Sequence, residues 1–235
     1  MSQPALSLQF FDPAHGLHGS ARSGMTLLFD DGTPRALDDG PAVSAAGGGW
    51  HAELAGELSL DFEPVAVGAT LDGIEAHVCR VSGTVGGRTV RCLGTVAETR
   101  EPPAWGELDA LRTISALFDE RHALLAVASR PRGASGHDAE HVDCWLLDDG
   151  EPVRVAEARI STVYDGAGRQ RSAGLELWIA EEEPPLRASG SVVAGSSLQL
   201  EGLEVHAAVF RWRVGDREGA GAYELMARTE DRAAA

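Results

Sequence analysis

The chain has 235 residues, a hydrophobic fraction of 43% and a formal net charge of −16. This excess of negative charge excludes nucleic-acid binding, which needs a basic face, and it argues against docking on an anionic membrane surface. All 20 basic residues are arginine, so a Schiff-base lysine and a phosphate-loop lysine are excluded. No apolar run approaches the roughly 18 residues of a membrane span, so we expect no membrane insertion.

The cysteine content and the N-terminus indicate the cellular compartment. The three cysteines, Cys79, Cys92 and Cys144, are an odd number without paired spacing. Residues 1–11 lack the basic segment and the apolar stretch of a signal peptide. We therefore expect a cytoplasmic protein with reduced, mostly buried thiols.

The predicted elements are β-strands separated by turns. Runs in which apolar and polar residues alternate have one buried and one solvated face. Glycine, proline and aspartate separate these runs and suit tight turns. The first 20 residues and residues 36–49 are predicted loops. In chain order the predicted strands are Glu57–Phe62, Ala76–Ser82, His122–Arg130, Leu198–Glu201 and Val205–Trp212.

The segment between the two halves of the chain allows two predictions. A helix over Ala104–Phe118 would follow Pro102 and Pro103, which permit a helix start. A strand from about Asp109 to Phe118 fits the same residues equally well.

Three sequence segments recur in the same order at similar spacing, about half the chain apart. Such a period sets the architecture, because each repeat is one structural unit. It predicts an all-β fold of two tandem lipocalin-like β-barrels or barrel-like sandwiches, over residues 1–103 and 104–235. The matched pairs are Leu27–Pro34 with Trp145–Pro152, Leu58–Pro64 with Leu175–Trp178, and Gly94–Glu98 with Gly219–Glu224.

Several short motifs resemble the carotenoid hydratase (hydroxyneurosporene synthase) and AttH-like family. They are Phe11–Gly16 near the start, Trp105, Gly106 and Asp109 at the centre, and Gly219, Gly221 and Glu224 near the end. Ala104, Leu108 and Ala110 depart from the family pattern, in which this segment is more polar. The resemblance implies two lipocalin-like barrels that bind hydrophobic small molecules or act on them. The reactions it implies are hydration and cyclisation, without a cofactor or metal.

Two glutamates are the predicted catalytic residues. Glu98 and Glu224 end the closing strands of the two halves, and burial inside a barrel would make each a proton donor. The alternative is a structural carboxylate paired with an arginine at a barrel rim. Trp105 lies at the junction of the halves, where ligand clefts are common. The predicted ligand-binding residues are Trp105, Asp109, Arg100 and Tyr223.

Other site types are not expected. His15 and His18 have a metal-site spacing, with Asp12 nearby, but no further ligands follow by spacing, so we predict no metal. Residues 133–137 fall short of a serine-nucleophile elbow, which disfavours a hydrolase. The function predicted is binding of an apolar isoprenoid, polyketide or acyl-like molecule, with or without hydratase, isomerase or cyclase activity. The alternatives are a non-catalytic carrier and a structural or interaction module.

Overall fold

The computed structural model describes residues 5–134, 139–179, 184–200 and 202–229. Nineteen β-strands form within these ranges, and no α-helix does. The strands are β1 Ala5–Asp12, β2 Leu17–Arg22, β3 Met25–Asp30, β4 Thr33–Leu37, β5 Ala42–Ala46, β6 Gly49–Leu54, β7 Leu58–Pro64, β8 Ala69–Leu71, β9 Ile74–Val85, β10 Arg88–Thr99, β11 Leu108–Asp119, β12 His122–Pro131, β13 His141–Asp148, β14 Glu151–Arg154, β15 Glu157–Tyr164, β16 Gln170–Trp178, β17 Leu186–Leu200, β18 Leu203–Val214 and β19 Arg217–Arg228.

The strands form two antiparallel sheets with the same topology. The first has ten strands in the order β4-β3-β2-β1-β10-β9-β7-β6-β5, with the short β8 paired to β9. The second has nine strands in the order β14-β13-β12-β11-β19-β18-β17-β16-β15. Each sheet curls into a half-barrel, so the predicted all-β fold with two related halves is confirmed.

The predicted repeat is visible at equivalent turns. Asp31 and Gly32, between β3 and β4, have φ of 46° and 80°, and Asp149 and Gly150, between β13 and β14, have φ of 53° and 83°. Left-handed φ at two successive turn residues defines the tight hairpin that Asp-Gly favours. The two Asp-Asp-Gly segments therefore hold the same place in both halves.

A second turn is repeated between the halves, at the first hairpin of each half. Between β1 and β2, His15 Nδ1 lies 2.8 Å from a carboxylate oxygen of Asp12. Between β11 and β12, His122 Nδ1 lies 2.8 Å from a carboxylate oxygen of Asp119. Both turns have the spacing Asp-x-x-His, which supports the duplication further.

Two local predictions are corrected. Residues 104–118 contain no helix, because β11 begins at Leu108, and the strand prediction for this segment is the correct one. The predicted N-terminal loop contains β1 and β2, and residues 36–49 contain β5. These segments become strands because they pair with neighbouring strands, and their own composition does not predict that pairing.

The chain divides into two compact units. The first comprises residues up to Glu101 with Leu117–Ala123 and Leu147–Pro152, and the second comprises Pro102–Ala116, Leu124–Leu146 and the residues from Val153 onward. The predicted domain boundary between residues 103 and 104 stays a prediction. No helix in the described ranges is long and apolar enough to cross a membrane.

The interior of the first unit is filled by its own side chains. Alternate residues of its strands point inward, as period-two burial requires. A void among these side chains has a volume of about 10 Å³, at the lower limit for a single water molecule. The buried apolar side chains include Leu8, Phe10, Leu28, Ala52, Leu60, Phe62, Val81 and Val96.

Candidate functional site

A buried ion pair lies in the second unit. Arg112 on β11 donates to Glu140 Oε2 at 3.0 Å, and both side chains are only 3% exposed. Glu140 Oε1 also lies 3.0 Å from the guanidinium but accepts no hydrogen bond there, so this oxygen keeps its acceptor capacity. A desolvated charge pair usually gives little net stability, so its presence calls for a further reason.

Tyr223 on β19 belongs to the same cluster. Its hydroxyl shares a hydrogen bond of 2.7 Å with the hydroxyl of Thr162 on β15. Burial raises the pKa of Tyr223 well above its usual value, and the nearby Arg112 charge opposes this only in part. Tyr223 therefore stays a protonated hydroxyl at neutral pH and is able to donate a hydrogen bond.

Aromatic rings continue from Tyr223 along β18. Phe210 lies 5.6 Å from the Tyr223 ring centroid and 5.2 Å from that of Trp212. Gly190 leaves room for the indole, because a Cβ at this position would lie 2.5 Å from a ring carbon of Trp212. Trp212 is fully buried, and its indole N–H has no acceptor within the described part of the chain. Such a buried donor is costly to leave unpaired.

Glu140 also lines a cleft of about 1080 Å³ in the second unit. This volume slightly exceeds the usual range of about 300–1000 Å³ for small-molecule sites, and the first unit has an open pocket of about 510 Å³. Polar and apolar groups share its wall. The lining comprises residues 140–142, 156–161, 174–176 and 187–189.

Two of the predicted site residues lie in the first unit. Glu98 is 29% exposed, and one of its oxygens lies 3.9 Å from Arg100 Nε. Arg100 is 57% exposed and pairs more closely with Glu75. This arrangement matches a carboxylate held by an arginine, the structural alternative to a proton donor at Glu98.

Two other predicted ligand-binding residues make structural contacts near the start of β11. The carbonyl of Trp105 accepts a hydrogen bond of 2.7 Å from Arg228, and the indole is half-buried. Asp109 Oδ2 accepts a hydrogen bond of 2.9 Å from the backbone N–H of Gly133. Both contacts tie loops to the sheet, and their predicted role in ligand binding stays a prediction.

The predicted equivalence of Glu98 and Glu224 is wrong. In the β9–β10 hairpin Glu98 pairs with Glu75, and in the β18–β19 hairpin Glu224 pairs with Ala207. Counted from the start of its strand, Glu98 is the eleventh residue of β10 and Glu224 is the eighth residue of β19. One position is odd and the other is even. Successive side chains alternate between sheet faces, so the two carboxylates point to non-equivalent faces. Glu224 is 4% exposed and adjoins Tyr223 in sequence.

Metal-ligating residues do not cluster within the described ranges. No group of three His, Cys, Asp or Glu side chains there has the geometry of a metal site. His15 is bound to Asp12, whereas His18 is buried, and burial lowers its pKa against the opposing effect of Asp12. Residues 135–137, in the segment that falls short of a serine-nucleophile elbow, lie outside the described residues.

Comparisons with known proteins bear on the fold. No family model matches the chain, and no curated protein matches it either. Among solved structures, a protein of Nitrosomonas europaea described as a candidate AttH aligns with a TM-score of 0.65 and 12% identity, covering 94% of this chain and 91% of its own. Kievitone hydratase from Nectria haematococca aligns with a TM-score of 0.59 and 8% identity, covering 97% and 89%. The chain has their fold. At such low identity the likeness supports the AttH-like, lipocalin-like architecture and leaves carotenoid hydration a proposal.

Sequence reasoning missed most of the polar cluster. Arg112 carried a usable signal, because it is a single arginine within the apolar run Ala110–Leu117. Thr162 and Glu140 carried no such signal, since each becomes informative only through a partner distant in sequence. Of the predicted residues, Tyr223 alone belongs to this cluster.

Proposed function

We propose that the second unit binds an apolar small molecule of the isoprenoid, polyketide or acyl class and catalyses a cofactor-free hydration, isomerisation or cyclisation. The observation that carries the proposal is the buried cluster of Arg112, Glu140, Thr162 and Tyr223, of which Glu140 lines a cleft of about 1080 Å³. Perturbed, buried polar groups of this kind concentrate at functional sites. The likeness of fold to kievitone hydratase supports hydration as the reaction type.

The cluster supplies a donor and an acceptor in one place. Tyr223 stays protonated at neutral pH and donates a hydrogen bond to an oxygen of an unsaturated ligand, which polarises the adjoining double bond. Arg112 orients the Glu140 carboxylate, and Glu140 Oε1 accepts a hydrogen bond from a water molecule. The water oxygen then bonds to one carbon of the double bond as the water loses a proton to Glu140, and that proton passes to the neighbouring carbon. Glu98 and Glu224 stay the acids predicted from the sequence.

The test begins with solvent extraction of the purified protein and mass spectrometry of the extract. Tryptophan fluorescence then measures binding of a panel of isoprenoids, polyketides and fatty acids, and reactions in ¹⁸O-labelled water detect hydration. We expect Tyr223→Phe and Glu140→Gln to lower turnover by at least about 100-fold while ligand binding persists.

Glu218→Gln is the control for Glu140→Gln, because Glu218 also lies in the second unit but pairs at the surface with Arg213 and does not line the cleft. It should leave turnover unchanged. Loss of turnover in Glu98→Gln or Glu224→Gln instead would move the acid to the residue predicted from sequence. Binding without ¹⁸O incorporation would contradict catalysis and favour the carrier alternative, and absence of binding across the panel would contradict the whole proposal.

A further inference from the structure

A serine, a histidine and a glutamate lie in line on the β17–β18 hairpin. Ser197 Oγ lies 2.7 Å from His206 Nδ1, and His206 Nε2 lies 3.6 Å from a carboxylate oxygen of Glu204. The imidazole is 6% exposed, whereas Ser197 is exposed. The solvent-exposed Ser197 hydroxyl is therefore hydrogen-bonded to a buried imidazole, which can act as a base.

Strand pairing explains this arrangement. Ser197 on β17 is directly opposite His206 on β18, so their side chains leave the sheet on the same face. Glu204 precedes His206 by two positions and therefore shares that face. Gln170 donates a hydrogen bond of 3.1 Å to the backbone carbonyl of His206, which holds the residue in place.

The charges favour one tautomer of the imidazole. A carboxylate beside Nε2 stabilises a proton on that nitrogen, which leaves Nδ1 as the acceptor for the Ser197 hydroxyl. This is the order of contacts by which a base activates a nucleophile and a carboxylate orients the base. The two ring nitrogens are exchanged relative to the common serine triad, but the proton path is equivalent.

A cavity of about 220 Å³ adjoins the histidine. His206 and Arg171 line it together with Asp165 and Arg169, and Ser197 follows the lining residue Ser196. The volume is below the usual range for drug-sized ligands, so it suits a small acyl group. The Arg171 guanidinium makes no ion pair within the described residues and would attract a negative charge on the substrate.

We propose that Ser197 is a nucleophile activated by His206 and that this hairpin catalyses acyl transfer from small esters. Ser197 Oγ forms a bond to the ester carbonyl carbon as its proton passes to His206 Nδ1. The carbon–alkoxide bond then breaks, and the alkoxide leaves with that proton. Water then loses a proton to Nδ1 and attacks the acyl carbon. The bond between that carbon and Ser197 Oγ breaks, Oγ takes the proton back from Nδ1, and the carboxylic acid leaves. Glu204 is a positioning residue that stabilises the imidazolium.

The test uses a tagged fluorophosphonate on the full-length protein, with the labelled residue located by peptide mass spectrometry. Ser161 is the internal control, because its exposed hydroxyl bonds only a backbone carbonyl, that of Gly174. We expect Ser197 to react at least about 100-fold faster than Ser161, the contribution of a positioned base. Ser197→Ala should abolish the fast labelling and the release of p-nitrophenol from p-nitrophenyl acetate.

Histidine and glutamate variants separate catalysis from folding. His206→Gln should slow labelling of Ser197 to the Ser161 rate, and Glu204→Gln should slow it while Glu204→Asp restores it. A merely structural carboxylate would not show this rescue. Equal labelling of Ser197 and Ser161 in the wild-type protein would overturn the proposal without reference to any variant, as would full reactivity in a folded His206→Gln protein.

Discussion

At the scale of single residues, the Arg112–Glu140 pair is the most consequential contact in the second unit. Both side chains are 3% exposed, so each neutralises the charge of its partner, which water cannot reach. We expect Glu140→Gln or Arg112→Met alone to lower the free energy of unfolding by about 3–5 kcal/mol, because each leaves an unpaired buried charge.

The double variant Arg112→Met/Glu140→Leu is the control for this prediction. Replacing both partners by apolar groups should restore most of the stability and abolish the proposed activity. Urea unfolding monitored by circular dichroism measures the stability, and the hydration assay measures the activity. Single variants as stable as the wild type would show that the pair is solvated in solution.

Tyr223 separates chemistry from stability at the same cluster. Tyr223→Phe removes one hydrogen bond to Thr162 and keeps the ring against Phe210. We expect a loss of about 1 kcal/mol in the free energy of unfolding, together with the loss of turnover described above. Thr162→Val removes the same bond and should match the stability loss while keeping the phenol. Equal turnover in the two variants would remove Tyr223 from the proposed mechanism.

The three cysteines predict how stability depends on pH. Burial raises the pKa of the thiols of Cys79, Cys92 and Cys144 from 9.0 to about 12. Because the folded-state pKa is raised, the stabilisation is fully present below pH 9 and is lost as pH rises from 9 toward 12. At pH 10 each thiol should lower the free energy of unfolding by about 1 kcal/mol compared with its value at pH 8.

Urea unfolding at pH 8 and pH 10 checks this pH dependence. A triple Cys→Ala variant is the control, since its stability should fall less between the two pH values. The buried Cys79 thiol should also resist alkylation at pH 8 until the chain unfolds, whereas Cys92 and Cys144 are only partly buried. Rapid alkylation of Cys79 in the folded protein would contradict its burial.

At the scale of elements, each half has a glycine where two strands approach closely. A Cβ on Gly94 in β10 would lie 2.2 Å from the carbonyl oxygen of Gln9, and one on Gly221 in β19 would lie 1.8 Å from that of Ser115. The obstacle is backbone in both cases, so it cannot rotate away. The two glycines hold different positions in their strands, but in each half the closing strand needs a glycine where it passes the first strand of that half.

Alanine substitutions test this shared constraint. Gly94→Ala and Gly221→Ala should each lower the free energy of unfolding by at least about 2 kcal/mol, because a strand must shift to admit the methyl group. Gly106→Ala is the control, since a Cβ there meets no atom within 4 Å and the φ is not left-handed. Chemical denaturation gives the comparison, and a tolerated Gly221→Ala would show that β11 and β19 lie farther apart in solution.

At the scale of the whole molecule, charge is the dominant feature. A formal net charge of −16 makes the folded chain repel itself, and added salt screens that repulsion. We expect the midpoint of thermal unfolding at pH 7.5 to rise by a few degrees between about 10 mM and about 500 mM sodium chloride. Differential scanning calorimetry measures the shift, and a falling midpoint would mean that the surface ion pairs, such as Arg80–Glu63, outweigh the net repulsion.

The sequence alone determined the fold class and the repeat of the Asp-Asp-Gly turns, whereas the matched segments Leu58–Pro64 and Leu175–Trp178 lie on the non-equivalent strands β7 and β16. Alternating runs such as Leu58–Pro64 form strands because period-two burial is a local property of the chain. The Asp-Asp-Gly segments form equivalent turns because aspartate and glycine tolerate positive φ wherever they occur. Both signals lie within a few neighbouring residues, so they are readable without knowledge of any distant contact.

The tertiary structure alone decided which side chains act together. Thr162 meets Tyr223, Arg112 meets Glu140 and Ser197 meets His206 only through strand pairing and sheet curvature. The register of β9–β10 and β18–β19 likewise decided that Glu98 and Glu224 are not equivalent, because a shift of one residue reverses the face of a side chain. Site chemistry depends on these long-range registers, which neither composition nor local periodicity encodes.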